Sequence, residues 1–197
     1  MILERFLYLS AKFIGFFVYN LFFAIEVKGR ENFPKRGGFI VASNHLSFLD
    51  PPTIGYVCPR MLHFFAKSSL FKIKGFSKLI KLLGAIPLER DTSMSLVLRK
   101  GLEILKKGEG IVIFPEGTRS INGIIKDGKP GIGFLAVKSK VPVIPVRIIG
   151  TDKALPVNKK FIRIAKVKVF IGKPMYFENG NYTEISKNIM DVIRKLK

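Results

Sequence analysis

The amino-acid sequence predicts an α/β fold, a single domain with a mixed, largely parallel sheet flanked by helices. From Val27 onward, short apolar runs alternate with helical patterns, as expected when strands and helices follow one another along the chain. Polar clusters come directly after two of these runs, at 38–43 and 111–114, and ligands bind where parallel strands end. With 197 residues the chain is long enough for one well-packed domain and short for two.

The first of these runs, 38–43, is short, apolar and preceded by glycine, which is typical of a strand buried on both faces of a parallel sheet. Asn44, His45 and Ser47 follow in the turn where this strand must end. Asp50 stands directly before two prolines, a pattern that predicts a helix N-cap. The sequence therefore places a histidine and a carboxylate at the carboxyl end of a buried strand.

The pairing of His45 with Asp50 is typical of general base catalysis. Neutral imidazole can take a proton from an alcohol, and a carboxylate on the other ring nitrogen would hold the required tautomer. Ser47 could be the nucleophile of a triad, but we favour a dyad that activates a hydroxyl of the substrate. The alternative is that His45 forms an ordinary loop hydrogen bond and that Asp50 only caps a helix.

A second polar cluster, 115–120, follows the apolar run 111–114. Gly117 can adopt positive φ and let backbone amides approach an anion, and the planar guanidinium of Arg119 matches a phosphate group. The alternative is a surface turn with an ion-paired arginine. Cys58 is the single cysteine, so no intrachain disulfide is possible, and no pattern in the sequence resembles a metal site.

The remaining elements follow from apolar periodicity and capping residues. We predict further strands at 62–66, within 84–90, at 141–146 and at 167–171. We predict one helix over 69–83 and a second from a cap at Asp91 or Thr92 to residue 107. A third helix runs from Pro130 through 137, and a fourth runs from a capping box at Asn181 and Glu184 to the carboxyl end. The strand at 141–146 contains two prolines, which predicts a sheet edge or a bulge.

Composition points to an anionic partner. The chain carries 34 Lys+Arg against 14 Asp+Glu, a net charge of +20, yet 48% of its residues are hydrophobic. No zinc-finger spacing or RNA-binding aromatic signature is present, so a nucleic acid partner is not expected. An anionic membrane surface fits the apolar excess better, and a solvated lysine-rich surface is the alternative.

The first 28 residues form an N-terminal membrane-associating helical segment in this interpretation, and residues 29–197 form the α/β domain. The apolar run 13–25 is short for a membrane span and has no signal cleavage site, so we expect a helix that lies in one leaflet. The alternative is a helix packed on the core of the domain. The basic, apolar stretch 69–83 could face the membrane or the core in the same way.

Four blocks together resemble the glycerophospholipid acyltransferase family, which includes 1-acylglycerol-3-phosphate acyltransferases. They are Asn44–Asp50, Gly84–Arg90, Phe114–Ser120 and Val141–Val146, in the order of the family and at comparable separations. The resemblance covers residues 28–150, and Pro87 departs from the aromatic residue that many members carry.

The resemblance implies transfer of an acyl group from an acyl thioester, acyl-CoA or acyl-ACP, to a glycerol hydroxyl, without a cofactor. His45 would be the general base and Asp50 would orient it. The phosphate of the acceptor would be bound by Arg90 and by the loop with Glu116, Gly117, Thr118 and Arg119, with Asn44, Ser47 and Lys129 in support.

The acceptor implied by the resemblance is lysophosphatidic acid, giving phosphatidic acid for phospholipid biosynthesis at the cytoplasmic face of the cell membrane. The protein would be peripheral or monotopic there. Two alternatives stay open, the same chemistry on glycerol 3-phosphate or another lysolipid, and a non-catalytic basic module that binds membranes or nucleic acid.

Overall fold

The computed structural model describes residues 15, 17, 19–89, 91–157, 159 and 161–197. Within them the strands form one seven-stranded sheet in the order β1-β7-β6-β2-β5-β3-β4. Every neighbouring pair is parallel except β6 and β7. The prediction of a largely parallel α/β sheet is confirmed. The strands are β1 (Glu26–Lys28), β2 (Phe39–Ser43), β3 (Leu62–Lys67), β4 (Ala85–Leu88), β5 (Gly110–Ile113), β6 (Val143–Ile149) and β7 (Lys168–Ile171).

Helices cover both faces of the sheet. They are α1 (Asp50–Val57), α2 (Phe76–Leu82), α3 (Met94–Lys106), α4 (Gly131–Ser139), the short α5 (Thr151–Ala154) and α6 (Tyr182–Lys195), with 3-10 turns at Arg30–Asn32 and Ser68–Lys72. One apolar cluster joins the sheet to α1 and the helical residues 19–23. The other joins the opposite face to α3, α4 and α6.

The central strand β2 shows why this sequence forms a two-sided sheet. Phe39 and Val41 point to the first cluster, whereas Ile40 and Ala42 point to the second. All four side chains are fully buried, as the alternation of side chains along a strand requires when both faces are covered. β2 pairs with β5 on one side and β6 on the other, so residues 44–50 lie beside the loops that follow these two strands.

The edge position predicted for β6 is wrong, because this strand lies inside the sheet between β2 and β7. Pro145 is tolerated there because of the side to which its backbone points. Its carbonyl accepts from the amide of Gly172, so its nitrogen also faces β7, and the ladder with β7 begins one residue later at Val146. The missing N–H therefore removes no bond to β2.

Two helix predictions also change. The stretch predicted as one helix over 69–83 is a 3-10 turn followed by α2, separated at Gly75, whose φ is 78°. The cap expected at Asp91 or Thr92 is Ser93, whose hydroxyl accepts from the amide of Leu96. The predicted cap at Asn181 is confirmed, since its side chain accepts from two amides of the first turn of α6.

The amino-terminal boundary moves as well. Residues 26–28, assigned to the N-terminal segment, form β1 and pair with β7 in the sheet. Tyr19 and Phe23 are buried in the core, while Leu21 and Phe22 on the same helix are exposed. The packed-helix alternative thus holds for one face, and residues 1–14 lie outside the described part of the chain. Among the described residues, no helix has the length and apolarity needed to cross a membrane.

Candidate active site

The turn between β2 and α1 brings His45 and Asp50 into direct contact. The Nδ1 atom of His45 lies 2.8 Å from Oδ2 of Asp50. The side chain of Asp50 is fully buried, whereas 18% of the side-chain surface of His45 is exposed. Because the carboxylate accepts the proton on Nδ1, Nε2 is left as the unprotonated, accepting nitrogen of the neutral ring.

The carboxylate of Asp50 is held by donors from two elements. Its Oδ2 atom also accepts from the backbone amides of Leu46 and Ser47, and its Oδ1 atom accepts from the hydroxyl of Thr151 in α5. The predicted N-cap role of Asp50 is wrong, because this residue is the first of α1 and its side chain reaches back to the preceding turn. Four donors around one buried carboxylate compensate the loss of water and fix its position.

The other polar residues of this turn tie it to β6 and the segment after it. The side-chain amide of Asn44 donates to the carbonyl of Ile148 (2.9 Å) and accepts from the N–H of Ile148 (2.8 Å). It thus bonds to β6 as a further strand residue of β2 would. The hydroxyl of Ser47 donates to the carbonyl of Leu155 at 2.8 Å. Ser47 therefore supports the turn and does not complete a triad with His45.

The loop after β5 holds His45 from the other side. The ring of Phe114 stacks on the imidazole, with 4.0 Å between the centroids and 20° between the planes. Glu116 accepts from the backbone N–H of His45 at 3.0 Å, and the N–H of Ser120 donates to the His45 carbonyl at 2.7 Å. Both the ring and the backbone of the histidine are thus fixed by this second loop.

Arg119 lies at the same edge of the sheet. Its guanidinium carbon is 3.6 Å from the centroid of the Phe48 ring, a cation–π contact that orients the planar group. Burial lowers the pKa of Arg119, while the negative charge of Asp50 opposes this shift, and an arginine remains charged at neutral pH in either case. Its buried Nη1 atom has no hydrogen-bond partner among the described residues, so a donor is left for a ligand.

The other residues predicted to bind substrate are distributed unevenly around Arg119. Gly117 has φ of 71°, and a Cβ placed there would lie 3.0 Å from Cε and Nζ of Lys129, so this second cation lies against the loop. Thr118 is exposed. Glu116 is buried, and its second oxygen accepts from the N–H of Lys126, so its carboxylate is used within the protein. Arg90 lies outside the described residues.

Several contacts of the site were not predicted from the sequence. Thr151 follows β6, far from Asp50 along the chain, and Phe114 was counted among the buried strand residues. The signal for Thr151 would have been knowledge that β6 lies beside β2, which no local pattern supplies. The second histidine, His63, pairs with Glu109 at 2.8 Å, at the amino end of β5 and so at the opposite edge of the sheet.

The fold and the site define a class of protein. A histidine is held by a buried carboxylate, and no hydroxyl among the described residues is hydrogen-bonded to its ring. A cation with a spare donor lies on the neighbouring loop, as in enzymes that activate a hydroxyl of their substrate. The chain belongs to the Acyltransferase family, whose model matches residues 24–149. The resemblance stated from the four sequence blocks is thereby confirmed.

Individual relatives carry narrower names. A chloroplastic 1-acyl-sn-glycerol-3-phosphate acyltransferase of Brassica napus is 34% identical over 79% of this chain and 46% of its own length. The enzyme of the same name from Bacillus subtilis is 29% identical over 77% of this chain and 74% of its own. The present chain therefore spans just under half of the plant relative and about three quarters of the bacterial one.

A solved structure matches nearly the whole chain. The 1-acyl-sn-glycerophosphate (LPA) acyltransferase of Thermotoga maritima is 33% identical, with a TM-score of 0.85. The match covers 98% of this chain and 78% of that one.

Proposed function

We propose that this protein is a 1-acylglycerol-3-phosphate O-acyltransferase that moves an acyl group from acyl-CoA or acyl-ACP to lysophosphatidic acid and so forms phosphatidic acid. The observation that carries the proposal is the contact between His45 and Asp50 beside Arg119. It provides a base that has no nucleophilic side chain bonded to it among the described residues, next to a cation for the acceptor. The names of the three relatives support the same acceptor.

The proton transfer follows from the tautomer of His45. Its Nε2 atom removes the proton from the acceptor hydroxyl as the oxygen attacks the thioester carbonyl carbon, and Asp50 stabilises the imidazolium that forms. The tetrahedral intermediate collapses with cleavage of the C–S bond. The imidazolium returns its proton to the leaving thiolate, so the ester and the free thiol are the products and the histidine is regenerated.

The acceptor phosphate is assigned to the loop after β5. The spare donor of Arg119 and the nearby ammonium of Lys129 offer two positive charges, and exposed backbone at Gly117 and Thr118 can approach an anion. Arg90 is the third cation that we assign to the acceptor phosphate. Glu116 acts through the amides it holds, because both of its oxygens are occupied.

The site of action that we propose is the cytoplasmic face of the cell membrane, with the protein bound peripherally or monotopically. The charge of +20 supports attraction to anionic lipids, and the exposed apolar face of helical residues 19–23 supports contact with the bilayer. No cofactor enters the reaction.

The proposal is tested by measuring thiol release from acyl-CoA and acyl-ACP by the purified protein in detergent micelles. Lysophosphatidic acid, glycerol 3-phosphate and a lysolipid without a phosphate monoester serve as alternative acceptors. We expect release with lysophosphatidic acid, and a loss of about 10²- to 10⁴-fold in His45→Ala. His63→Ala is the matched control, since it removes a histidine at the opposite edge of the sheet.

Two results would decide against the proposal. Thiol release that depends on glycerol 3-phosphate alone would assign a different acceptor to the same chemistry. Full activity in a folded His45→Ala variant would contradict the mechanism in which His45 is the general base.

A further inference from the structure

We propose that segment 161–166 and the end of the amino-terminal helix form one docking surface for an anionic lipid bilayer. Large apolar side chains are exposed on both elements: Phe161 (83% exposed), Ile164 (80%), Leu21 (74%), Ile162 (54%) and Phe22 (42%). These five side chains are called the apolar rim below. Large apolar side chains that are exposed close together on a protein surface usually mark a site that binds another protein or a membrane.

The two halves of the apolar rim are joined by the backbone. The N–H of Ala165 donates to the carbonyl of Phe22 at 3.2 Å, and the N–H of Val167 donates to the carbonyl of Phe23 at 2.9 Å. On its other side the segment is held by a 2.8 Å bond from the N–H of Arg163 to the carbonyl of Ala154. The two elements that carry the rim are therefore held side by side in the folded domain.

The charge around the apolar rim favours an anionic occupant. The sequence contains no acidic residue between Asp152 and Glu178, while it contains basic residues throughout that stretch. Lys159 and Arg163 are exposed on it, whereas Lys166 at the end of the docking segment pairs with Glu26 of β1 at 3.6 Å. Apolar side chains interleaved with basic ones suit the boundary between acyl chains and headgroups. The apolar side chains enter the acyl region, and the basic ones contact the anionic headgroups.

Exposed apolar residues are also distributed unevenly between the two edges of the sheet. Phe48, Ile121 and Ile124 follow β2 and β5 at their carboxyl ends and are exposed. β7 runs antiparallel to β6, so its start, directly after the docking segment, lies at the same edge. Met61 and Tyr176 are exposed near the amino ends of the strands, and further exposed apolar side chains lie on the amino-terminal helix and on and beside α2: Phe17, Ile73, Phe76 and Leu79. This asymmetry favours an extended planar partner over a small one.

The docking surface is connected to the catalytic turn. The carbonyl of Leu155, which precedes the docking segment, accepts a hydrogen bond from the hydroxyl of Ser47. The hydroxyl of Thr151, four residues before Leu155, donates to the carboxylate of Asp50. Docking of the rim would thus place the His45 turn at the bilayer surface, where a lipid acceptor enters. The rim thus specifies the bilayer contact of the proposed function and rests on it. Acyl transfer and lipid binding are measured separately, so failure of one is distinguishable from failure of the other.

Binding is measured by sedimentation of the protein with phosphatidylglycerol vesicles and with phosphatidylcholine vesicles. We expect F161S/I164S to weaken binding to the anionic vesicles by about tenfold or more. The matched control M61S/Y176S removes two exposed apolar side chains from the opposite edge and should bind within about twofold of the parent protein. Equal binding by F161S/I164S and the parent protein would overturn the proposal.

The basic contribution is tested with Arg163→Ala against Lys187→Ala, an exposed lysine on α6. Arg163→Ala should weaken binding to phosphatidylglycerol severalfold at low salt and less at raised salt, because salt screens exposed charges. Equal effects of the two substitutions would show a diffuse attraction without a docking surface. If F161S/I164S binds vesicles normally but abolishes self-association in analytical ultracentrifugation, the occupant is a second copy of this chain.

Activity separates this proposal from the proposed function. With a short-chain acceptor dissolved as monomers, F161S/I164S should match the parent protein, and with acceptor embedded in vesicles it should be slower by a factor close to its loss of binding. If the parent protein transfers no acyl group to either acceptor, the proposed function fails, and the vesicle measurements still decide the docking surface. Circular dichroism and the thermal midpoint confirm that the variants are folded.

Discussion

The two loops that form the site differ in how their polar groups are used. In the loop after β2, Asn44, Ser47 and Asp50 are buried to within 1% of full burial, and each has hydrogen-bond partners inside the protein. In the loop after β5, Gly117 and Thr118 are exposed, and Arg119 keeps a donor without a protein partner.

This difference separates two requirements of the proposed reaction. Proton transfer needs His45 in one position and one tautomer. A turn whose polar groups are already hydrogen-bonded holds both, so no reorganisation is needed during the reaction. Binding of an anion needs donors that the protein has not already used. Substitutions in the first loop should therefore change the rate and the stability, and those in the second should mainly change affinity.

The largest effect is expected for Asp50→Asn. An amide has one acceptor oxygen where the carboxylate has two, so its NH₂ group must face donors, and the tautomer of His45 is no longer fixed. We expect kcat to fall by about 10²- to 10⁴-fold. The free energy of unfolding should fall by roughly 1–3 kcal/mol. Enzyme assays and urea unfolding measure the two effects, and Asp152→Asn on α5 is the control. A rate within twofold of the parent protein would contradict the assigned role.

A smaller and different effect is expected for Arg119→Lys. The charge is kept, but the planar fork and its stacking on Phe48 are lost. The KM for the phosphorylated acceptor should rise about 10- to 100-fold, because charge-assisted hydrogen bonds contribute roughly 1.5–3 kcal/mol. Stability and the KM for the thioester should change little. The exposed Arg99→Lys is the control, and an unchanged acceptor KM would remove Arg119 from the phosphate site.

Much of the fold could be predicted because its signals are local. Runs such as 39–43 and 110–113 are apolar and short, and the cap at Asn181 is a side-chain pattern readable in sequence. The order of strands is set by long-range pairing, which no local window contains. The two prolines of 141–146 predict a sheet edge or a bulge, and the edge is wrong, since the side to which the backbone nitrogen of Pro145 points depends on the neighbouring strands.

The site shows the same division. His45, Asp50 and Arg119 could be proposed because each lies in a polar cluster that follows an apolar run and has chemistry suited to the proposed reaction. The groups that hold them could not, since the Thr151 hydroxyl donates to Asp50 across 101 positions of sequence and the Glu116 carboxylate accepts from the His45 N–H across 71. A long-range hydrogen bond to a buried group depends on the sheet topology, which becomes visible only in three dimensions.

Thr151→Val tests such a long-range donor. Valine keeps the shape and removes the hydroxyl, so Oδ1 of the buried Asp50 loses its partner. We expect a loss of stability of about 1–3 kcal/mol. We also expect a severalfold decrease in kcat, with both KM values unchanged and the acid limb of the pH–rate profile displaced. Thr151→Ser should restore both, because it returns the hydroxyl. A stability loss without any change in the pH–rate profile would mean that Thr151 acts on folding alone.

The smallest effect is expected at Tyr19, which connects the amino-terminal helix to the same turn through Thr53 (3.1 Å). Burial raises the pKa of Tyr19, the bond to Thr53 opposes this shift, and the charge of Asp50 adds to it. The folded state thus retains the phenolic proton more strongly than the unfolded chain, whose pKa is about 10. This contribution is fully present below about pH 10 and is lost as the pH rises toward the raised pKa of the folded state.

Tyr19→Phe should therefore lower stability by about 1 kcal/mol at neutral pH and reduce the steepness of alkaline unfolding. Thermal unfolding between pH 8 and about 11 measures both effects, a range in which unfolded tyrosine begins to ionise. Tyr176→Phe, at an exposed tyrosine, is the control. If both variants unfold with the same alkaline slope as the parent protein, ionisation of Tyr19 does not contribute to alkaline unfolding.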